Sequence, residues 1–259
     1  MTSENGEGLQ RIAITFDQLK EKYQRLGKQK ELTNDRYYEG QREARIAQIM
    51  TGPDGWDETS LRGQWIAARL RGQDLVQVSI QLSGLPLETR KTCRFNTFKT
   101  NKRYPALTMA LEATKQWLSP GGPKLLTLAG PPGVGKTHLL LAAAWELVKK
   151  ELQVLYLSQG ALLRNGPRAA DELVKEAEQI IWLFLDDLGA EGMAYDWVRA
   201  ILDRLVDNRW LNHMPLMVGT NLKSEELPAR LVDRLNDSMI GQVVPIEAPS
   251  HRMVARRNS

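Results

Sequence analysis

The chain has 259 residues, and its 35 Lys+Arg against 31 Asp+Glu give a formal net charge of +4. This length suits one or two domains, and 42% apolar with 25% charged residues excludes wholesale disorder. The single cysteine, Cys93, excludes an internal disulfide or a cysteine-built metal cluster, and three scattered histidines disfavour a histidine-built one. No apolar run reaches the roughly 18 residues of a membrane span, and the N-terminus does not read as a signal peptide. We therefore expect a cytoplasmic protein without membrane contact.

The first part of the chain shows helical spacing of its apolar residues. This spacing covers about 16–50 and again 58–71, with a Thr-Gly-Pro-Asp-Gly break between the two stretches. Residues 73–82 fit a helix or a strand equally well. We predict a small helical module over residues 1–83.

Residues 84–104 predict a basic linker. Residues 1–104 hold 18 basic and 13 acidic residues, a net charge of +5, against 17 and 18 in residues 105–259, a net charge of −1. Phe95, Phe98 and Tyr104 are interleaved with these cations, so the stretch can grip a nucleic-acid backbone and stack on bases. Equally, it can be a solvated linker whose aromatic rings pack against the next domain. The cations between residues 90 and 103, with no acid among them, are Arg90, Lys91, Arg94, Lys99, Lys102 and Arg103.

From residue 105 onward, helices alternate with short apolar strands. This alternation predicts a parallel sheet covered by helices on both faces, in one domain over residues 105–259. The predicted helices cover 105–118, 136–151, 170–179, 194–212 and most of 224–236, and the predicted strands cover 124–129, 153–157, 181–185, 216–219 and 242–246.

A glycine-rich loop follows the first of these strands and opens a predicted helix. Residues 130–137 match the phosphate-binding pattern G-x-x-x-x-G-K-[ST]. Backbone amides of such a loop surround phosphates, its lysine contacts β- and γ-phosphate oxygens, and its threonine hydroxyl ligates Mg²⁺. The residues of this predicted site are Gly130, Pro131, Pro132, Gly133, Val134, Gly135, Lys136 and Thr137.

Three polar residues follow later strands. Asp186 and Asp187 come after the apolar run 181–185, and Asn221 stands at the tip of the strand in Val-Gly-Thr-Asn. Beside a phosphate-binding loop, Asp186 is predicted to hold Mg²⁺ and Asp187 to orient the attacking water. Asn221 is predicted to hold that water or the γ-phosphate. The structural alternatives are a pair of helix N-caps and a strand-terminating asparagine.

Two arginines, Arg230 and Arg234, are spaced to share one face of a late helix. An arginine that reaches the γ-phosphate of a neighbouring molecule would make hydrolysis depend on assembly. The alternative is a surface ion pair with Asp233 or Asp237.

In order and spacing, these motifs resemble the AAA+ ATPases of the DnaC/DnaI helicase-loader and IstB transposition-helper group. Residues 85–90 and 95–98 resemble the stretch that such proteins carry before the ATPase core. The matching core stretches are 130–138, 183–189, 219–222 and 230–235, followed by Ser250-His251-Arg252 in place of a short Ser-Tyr-Arg tail.

The resemblance implies a P-loop NTPase fold of AAA+ type, with a five-stranded parallel sheet of order 5-1-4-3-2 and no C-terminal lid domain. It implies ATP and Mg²⁺ as cofactors, with His138 closing the phosphate-binding match and Asn221 as the sensor 1 residue. Arg234 would be the arginine finger, completing the ATP site of a neighbouring copy in a homo-oligomer, and Arg230 a helper. The Asp186-Asp187 pair in place of Asp-Glu suggests slow turnover, stimulated by DNA or assembly.

Two functions follow from this resemblance, and a third belongs to another class. The first is a loader that places a replicative DNA helicase on single-stranded DNA, with residues 1–83 binding the helicase. The second is a transposition helper that binds DNA and recruits a transposase. The third, a GTPase or small-molecule kinase, is disfavoured because residues 221–224 do not supply the guanine-reading Asn-Lys-x-Asp.

Overall fold

The computed structural model describes residues 59–189 and 195–251. The predicted helix of residues 16–50 lies outside this range. The helices are α1 (Leu61–Leu70), α2 (Leu75–Leu82), α3 (Thr89–Thr92), α4 (Pro105–Trp117), α5 (Lys136–Lys149), α6 (Gln159–Leu163), α7 (Gly166–Gln179), α8 (Asp196–Leu211) and α9 (Ala229–Leu235), with 3₁₀ turns at Phe95–Thr97 and Ser224–Glu226. The strands are β1 (Leu125–Ala129), β2 (Val154–Ser158), β3 (Trp182–Leu188), β4 (Leu216–Thr220) and β5 (Gly241–Pro245).

All five strands are parallel and lie in the order β2-β3-β4-β1-β5. This is the predicted order 5-1-4-3-2, read from the opposite edge of the sheet. Strand β1 lies between β4 and β5, so that Leu128 is paired with Gly219 on one side and Val244 on the other. The loop after β1 therefore starts next to the ends of two neighbouring strands.

Successive strand residues face opposite sides of the sheet and divide the core into two layers. Phe184 and Met217 pack with α4 and α5, whereas Leu185 and Val218 pack with α7, α8 and α9. Both layers are apolar, which explains why the strands read as continuous apolar runs.

Strand β3 extends further than the sequence predicted. It includes the two aspartates, Asp186 and Asp187, that were expected to follow it. Its pairing with β4 shifts between Leu185 and Leu188, and Asp187 has φ of +54°. Such an irregularity changes the direction of the side chains in the strand. The Asp186 side chain is buried, and the Asp187 side chain at the irregularity is exposed.

The two helices before the core pack against it. Residues 73–82, which fitted a helix or a strand, form α2, because the Asp74 side chain accepts hydrogen bonds from the amides at the start of this helix. The Leu61 amide donates to Glu176 Oε2 at 2.9 Å, and the Tyr156 amide donates to the Ser83 carbonyl at 2.7 Å. The proposed boundary at residue 83 remains a prediction, since residues 1–58 lie outside the described range.

Residues 84–104, here called the strap, lie on the core as well. Phe98 is buried in the layer of α4 and α5, and Phe95 and Tyr104 pack half-buried against that layer. The aromatic rings therefore pack against the ATPase core, which is the second of the two interpretations, and are not free to stack on bases. The cations with exposed side chains in this segment are Arg90, Lys91, Lys99, Lys102 and Arg103. None of the helices in the described ranges is long and apolar enough to span a membrane.

Candidate nucleotide-binding site

The glycine-rich loop joins β1 to α5, as its sequence predicted. Gly135 has φ of +104°, and a Cβ atom at this position would lie 2.7 Å from Phe98 Cε2. Only glycine accepts both the positive φ and the close approach of the Phe98 ring without strain. Because α5 begins at Lys136, its first amides and its dipole favour an anion held by the loop.

Lys136 and Asn221, 85 positions apart, are in direct contact. The buried Lys136 Nζ donates to Asn221 Oδ1 at 2.6 Å and to the carbonyl oxygens of Gly130 at 2.7 Å and Pro131 at 3.0 Å. Burial lowers the pKa of Lys136, and the nearby charges of Asp186 and Asp187 oppose that effect. The structure thus brings the Lys136 cation, the Asn221 amide and the carboxylates of Asp186 and Asp187 close together, and their roles stay predictions.

The Asp186 carboxylate is almost completely buried and accepts two hydrogen bonds. Its Oδ2 accepts from the Tyr156 hydroxyl at 2.7 Å, and its Oδ1 accepts from the Asp187 amide at 3.0 Å. Burial raises the pKa of Asp186, and the interactions with Thr137 and Tyr156 partly offset this. Sequence reasoning missed Tyr156; the only available signal was a phenol in an otherwise apolar strand.

The donors at this point fit a magnesium ion. Mg²⁺ prefers oxygen ligands and is usually held by one or two protein groups together with phosphate oxygens and water. Thr137 and Asp186 supply a hydroxyl and a carboxylate, and the interaction with Thr137 lowers the pKa of Asp186. In the described ranges no group of three or more His, Cys, Asp or Glu could hold a metal ion. A magnesium ion held by these two groups would take its other ligands from phosphate oxygens and water.

Two segments from outside the sheet border the loop. His138 Nε2 lies 2.9 Å from the Arg94 carbonyl and 3.3 Å from Thr97 Oγ1, and its ring meets Phe98 edge-on with centroids 5.4 Å apart. On the other side, the His251 amide donates to the Gly133 carbonyl at 2.9 Å. His138 thus anchors the strap beside the loop, while its predicted contact with nucleotide stays a prediction.

The comparisons with known proteins agree with this geometry. A family model described as "IstB-like ATP binding protein" matches residues 70–259. The chain belongs to the IstB-like ATP-binding proteins. This membership favours an adenine nucleotide and argues against the guanine-reading alternative.

Two curated relatives and two solved structures are similar to parts of this IstB-like chain. It is 31% identical to the phage-like element PBSX protein XkdC of Bacillus subtilis (strain 168) over 147 residues, 51% of this chain and 55% of that protein. It is 31% identical to the replicative helicase loader DnaI of the same organism over 119 residues, 44% of this chain and 38% of that protein. The chain thus spans about half or less of the length of these relatives.

The structural comparisons establish the fold. A crystal structure of DnaI matches with a TM-score of 0.54 at 22% identity, covering 66% of this chain and 95% of that one. A crystal structure of the DnaC helicase loader matches with a TM-score of 0.52 at 22% identity, covering 62% and 99%. The AAA+ P-loop fold expected from the motifs is confirmed.

The two arginines of α9 lie away from the phosphate-binding loop, where α9 packs on α8. Arg234 donates to Asp207 Oδ1 at 3.2 Å and to Asp233 Oδ2 at 2.9 Å, and its guanidinium carbon lies 3.9 Å from the centre of the Trp210 ring. Arg230 pairs with the same Asp207. In this single copy both arginines are therefore held by Asp207 of α8, and the arginine-finger role of Arg234 stays a prediction.

A cavity of about 610 Å³ adjoins the site on the side of β5 and α9. Gly130 and Asn221 border it, but Lys136, Thr137 and Asp186 do not. Its lining is mostly apolar, so the cavity is distinct from the polar position predicted for the phosphates.

Proposed function

We propose that this protein is an ATP-dependent loader that delivers a replicative ring helicase onto single-stranded DNA and uses ATP binding and hydrolysis as an assembly switch. The observation that carries the proposal is the convergence of Lys136, Asp186 and Asn221 at the carboxyl edge of the sheet. Similarity to proteins named as helicase loaders supports the choice of partner. The expected location is the cytoplasm.

The residues of the site divide the hydrolytic work. The loop amides and Lys136 would bind the phosphates, and Thr137 and Asp186 would hold Mg²⁺, which supplies charge stabilisation at the transferring phosphoryl group. The exposed Asp187 would orient the attacking water, and Asn221, already bonded to Lys136, would hold that water or the γ-phosphate. Asp187 stands where many AAA+ proteins have a longer glutamate, and this shorter carboxylate is expected to give slow turnover.

Nucleotide binding is tested by Lys136→Ala, with Lys149→Ala as the matched control. Lys149 lies at the far end of the same helix and pairs with Glu146 on the surface. We expect Lys136→Ala to abolish binding of a fluorescent ATP analogue and Lys149→Ala to bind like the wild type. Retained affinity in Lys136→Ala would contradict the phosphate-site assignment.

Dependence of hydrolysis on assembly is assigned to Arg234. In a homo-oligomer this side chain would leave Asp207 and reach the ATP of the adjacent copy, where a finger contributes roughly 10³-fold or more to turnover. Arg234→Ala should keep ATP binding and lose the concentration-dependent part of hydrolysis. Arg199→Ala, which removes an exposed arginine paired on its own helix, is the control. An unchanged rate in Arg234→Ala would refute the finger role.

Contact with single-stranded DNA is assigned to the cations of the strap. They are exposed, and no acidic partner faces them within the described residues, so they are available to phosphates. The double variant Lys99→Glu, Lys102→Glu should weaken DNA binding and flatten its dependence on salt concentration. Lys115→Glu, on the neighbouring α4, should not. Equal DNA affinity of the double variant and Lys115→Glu would show that the strap cations do not bind DNA.

The partner is tested by mixing the full chain with the replicative helicase of its source and following complex formation by size exclusion. We expect a complex that requires ATP and is absent with Lys136→Ala. Failure to form any ATP-linked complex would remove the helicase as the partner.

The second candidate is a transposition helper, and the match to the IstB-like family model favours it. In that case the protein would bind duplex DNA in the presence of ATP and recruit a transposase. Preference for duplex over single-stranded DNA, together with capture of a transposase encoded beside this gene, would decide for it.

A further inference from the structure

Tyr156 is a side-chain partner of the buried Asp186 carboxylate that the proposed chemistry does not use. It lies on β2, an edge strand of the sheet, and its hydroxyl donates to Asp186 Oδ2 at 2.7 Å. In the pairing of β2 with β3, Ser158 lies opposite Asp186. The phenol of Tyr156, two residues before Ser158, therefore reaches the carboxylate on the neighbouring strand.

The hydrogen bonds around Asp186 fix the plane of its carboxylate. Asp187 donates its amide to Oδ1, while Tyr156 holds Oδ2. A carboxylate held at one oxygen alone can still rotate about its Cβ–Cγ bond, whereas one held at both oxygens cannot. Partners of this kind orient metal-binding carboxylates and raise the affinity of the site for the ion.

The backbone of Tyr156 is held by the segment that precedes the ATPase core. Its amide donates to the Ser83 carbonyl at 2.7 Å, on the outer edge of the sheet. The next residue, Gly84, has φ of +69°, and a Cβ atom there would lie 2.7 Å from the Tyr156 carbonyl oxygen. The end of α2 therefore clasps β2 at this residue.

We propose that Tyr156 is a positioning residue for the magnesium-binding carboxylate Asp186, and that the Ser83-Gly84 clasp holds Tyr156 in place. The inference rests on the proposed nucleotide site. It connects the chain before the core to the metal position through two hydrogen bonds.

The test is the magnesium dependence of nucleotide binding in Tyr156→Phe, measured with a fluorescent ATP analogue. Loss of an outer partner of a metal ligand costs about 10- to 100-fold in metal affinity, so the half-saturating Mg²⁺ concentration should rise about tenfold or more. Affinity for the analogue in EDTA should stay at the wild-type value, because the loop and Lys136 are unchanged. Tyr104→Phe is the control, since that ring is also half-buried against the core but its hydroxyl makes no hydrogen bond within the described residues.

A second pair of variants tests the clasp without touching the phenol. Gly84→Ala and Gly72→Ala both place alanine at a positive φ, but only position 84 has an atom within 4 Å of the added methyl. The first should raise the Mg²⁺ requirement and the second should not. An unchanged Mg²⁺ requirement in Tyr156→Phe overturns the inference, whereas a wild type that binds no nucleotide overturns the proposed function itself.

Discussion

Replacing Gly219 with alanine adds a methyl group directly against the buried carboxylate of Asp186. The new Cβ atom would lie 2.5 Å from Asp186 Oδ1 and 3.6 Å from Leu140 Cδ2. Gly219 lies on β4 and its φ is outside the left-handed region, so the backbone accepts alanine and the contact alone sets the cost.

The magnitude follows from how the clash can be relieved. A contact of 2.5 Å is shorter than any that real Cβ atoms make, so either β4 or the carboxylate must move. Moving β4 disturbs a strand buried along its whole length, at about 1–3 kcal/mol for overpacking. Turning the carboxylate breaks its hydrogen bonds to Tyr156 and the Asp187 amide, at a comparable cost. We therefore expect the free energy of unfolding to fall by about 1–3 kcal/mol.

Two measurements check this reasoning. Urea unfolding gives the loss of stability, and the Mg²⁺ concentration that half-saturates binding of an ATP analogue reports the displaced carboxylate. Gly160→Ala is the control, because that methyl would meet nothing within 4 Å and α6 favours alanine. If Gly219→Ala matched Gly160→Ala in both measurements, the role assigned to Gly219 would be wrong.

Three further predictions concern residues that are not among the predicted nucleotide-binding residues. Arg209→Ala removes a fully buried guanidinium that donates to a main-chain carbonyl at 2.6 Å, so urea unfolding should show a loss of about 3 kcal/mol, against less than about 1 kcal/mol for the exposed Arg199→Ala. The hydrogen bond from Trp210 holds the pKa of Asp237 below its usual 3.8. The ionised Asp237 therefore stabilises the fold fully above pH 3.8, and this stabilisation is lost as the pH falls through the lowered pKa. The stability difference between the wild type and Asp237→Asn should therefore shrink on acidification through that range. Phe98→Ala should cost about 3 kcal/mol and weaken ATP-analogue binding, because its ring packs on the phosphate loop. Unchanged analogue affinity would show that the strap has no part in the site.

Much of the site was predictable because it depends on local pattern and strand order. A loop that leaves a strand and opens a helix fixed the place of Lys136, and the parallel sheet brought Asp186 and Asn221 to the same edge. Tyr156 was not predictable, since its contact depends on the register of β2 against β3. Equally, no spacing in the sequence indicated that Asp207 binds both arginines of α9.

Apolar periodicity and motifs of residues close together along the chain were enough to predict the sheet, the phosphate loop and the family. Two questions that the sequence left open depend on packing between distant segments. Residues 75–82 form a helix, and its Val76 and Ile80 pack against the core layer that contains α4 and α5. The aromatic rings of the strap turned inward, because burying Phe98 beside Gly135 and His138 removes apolar surface from water. The excess of positive charge before residue 105 is consequently left on exposed side chains of the strap, whereas its aromatic rings face the core.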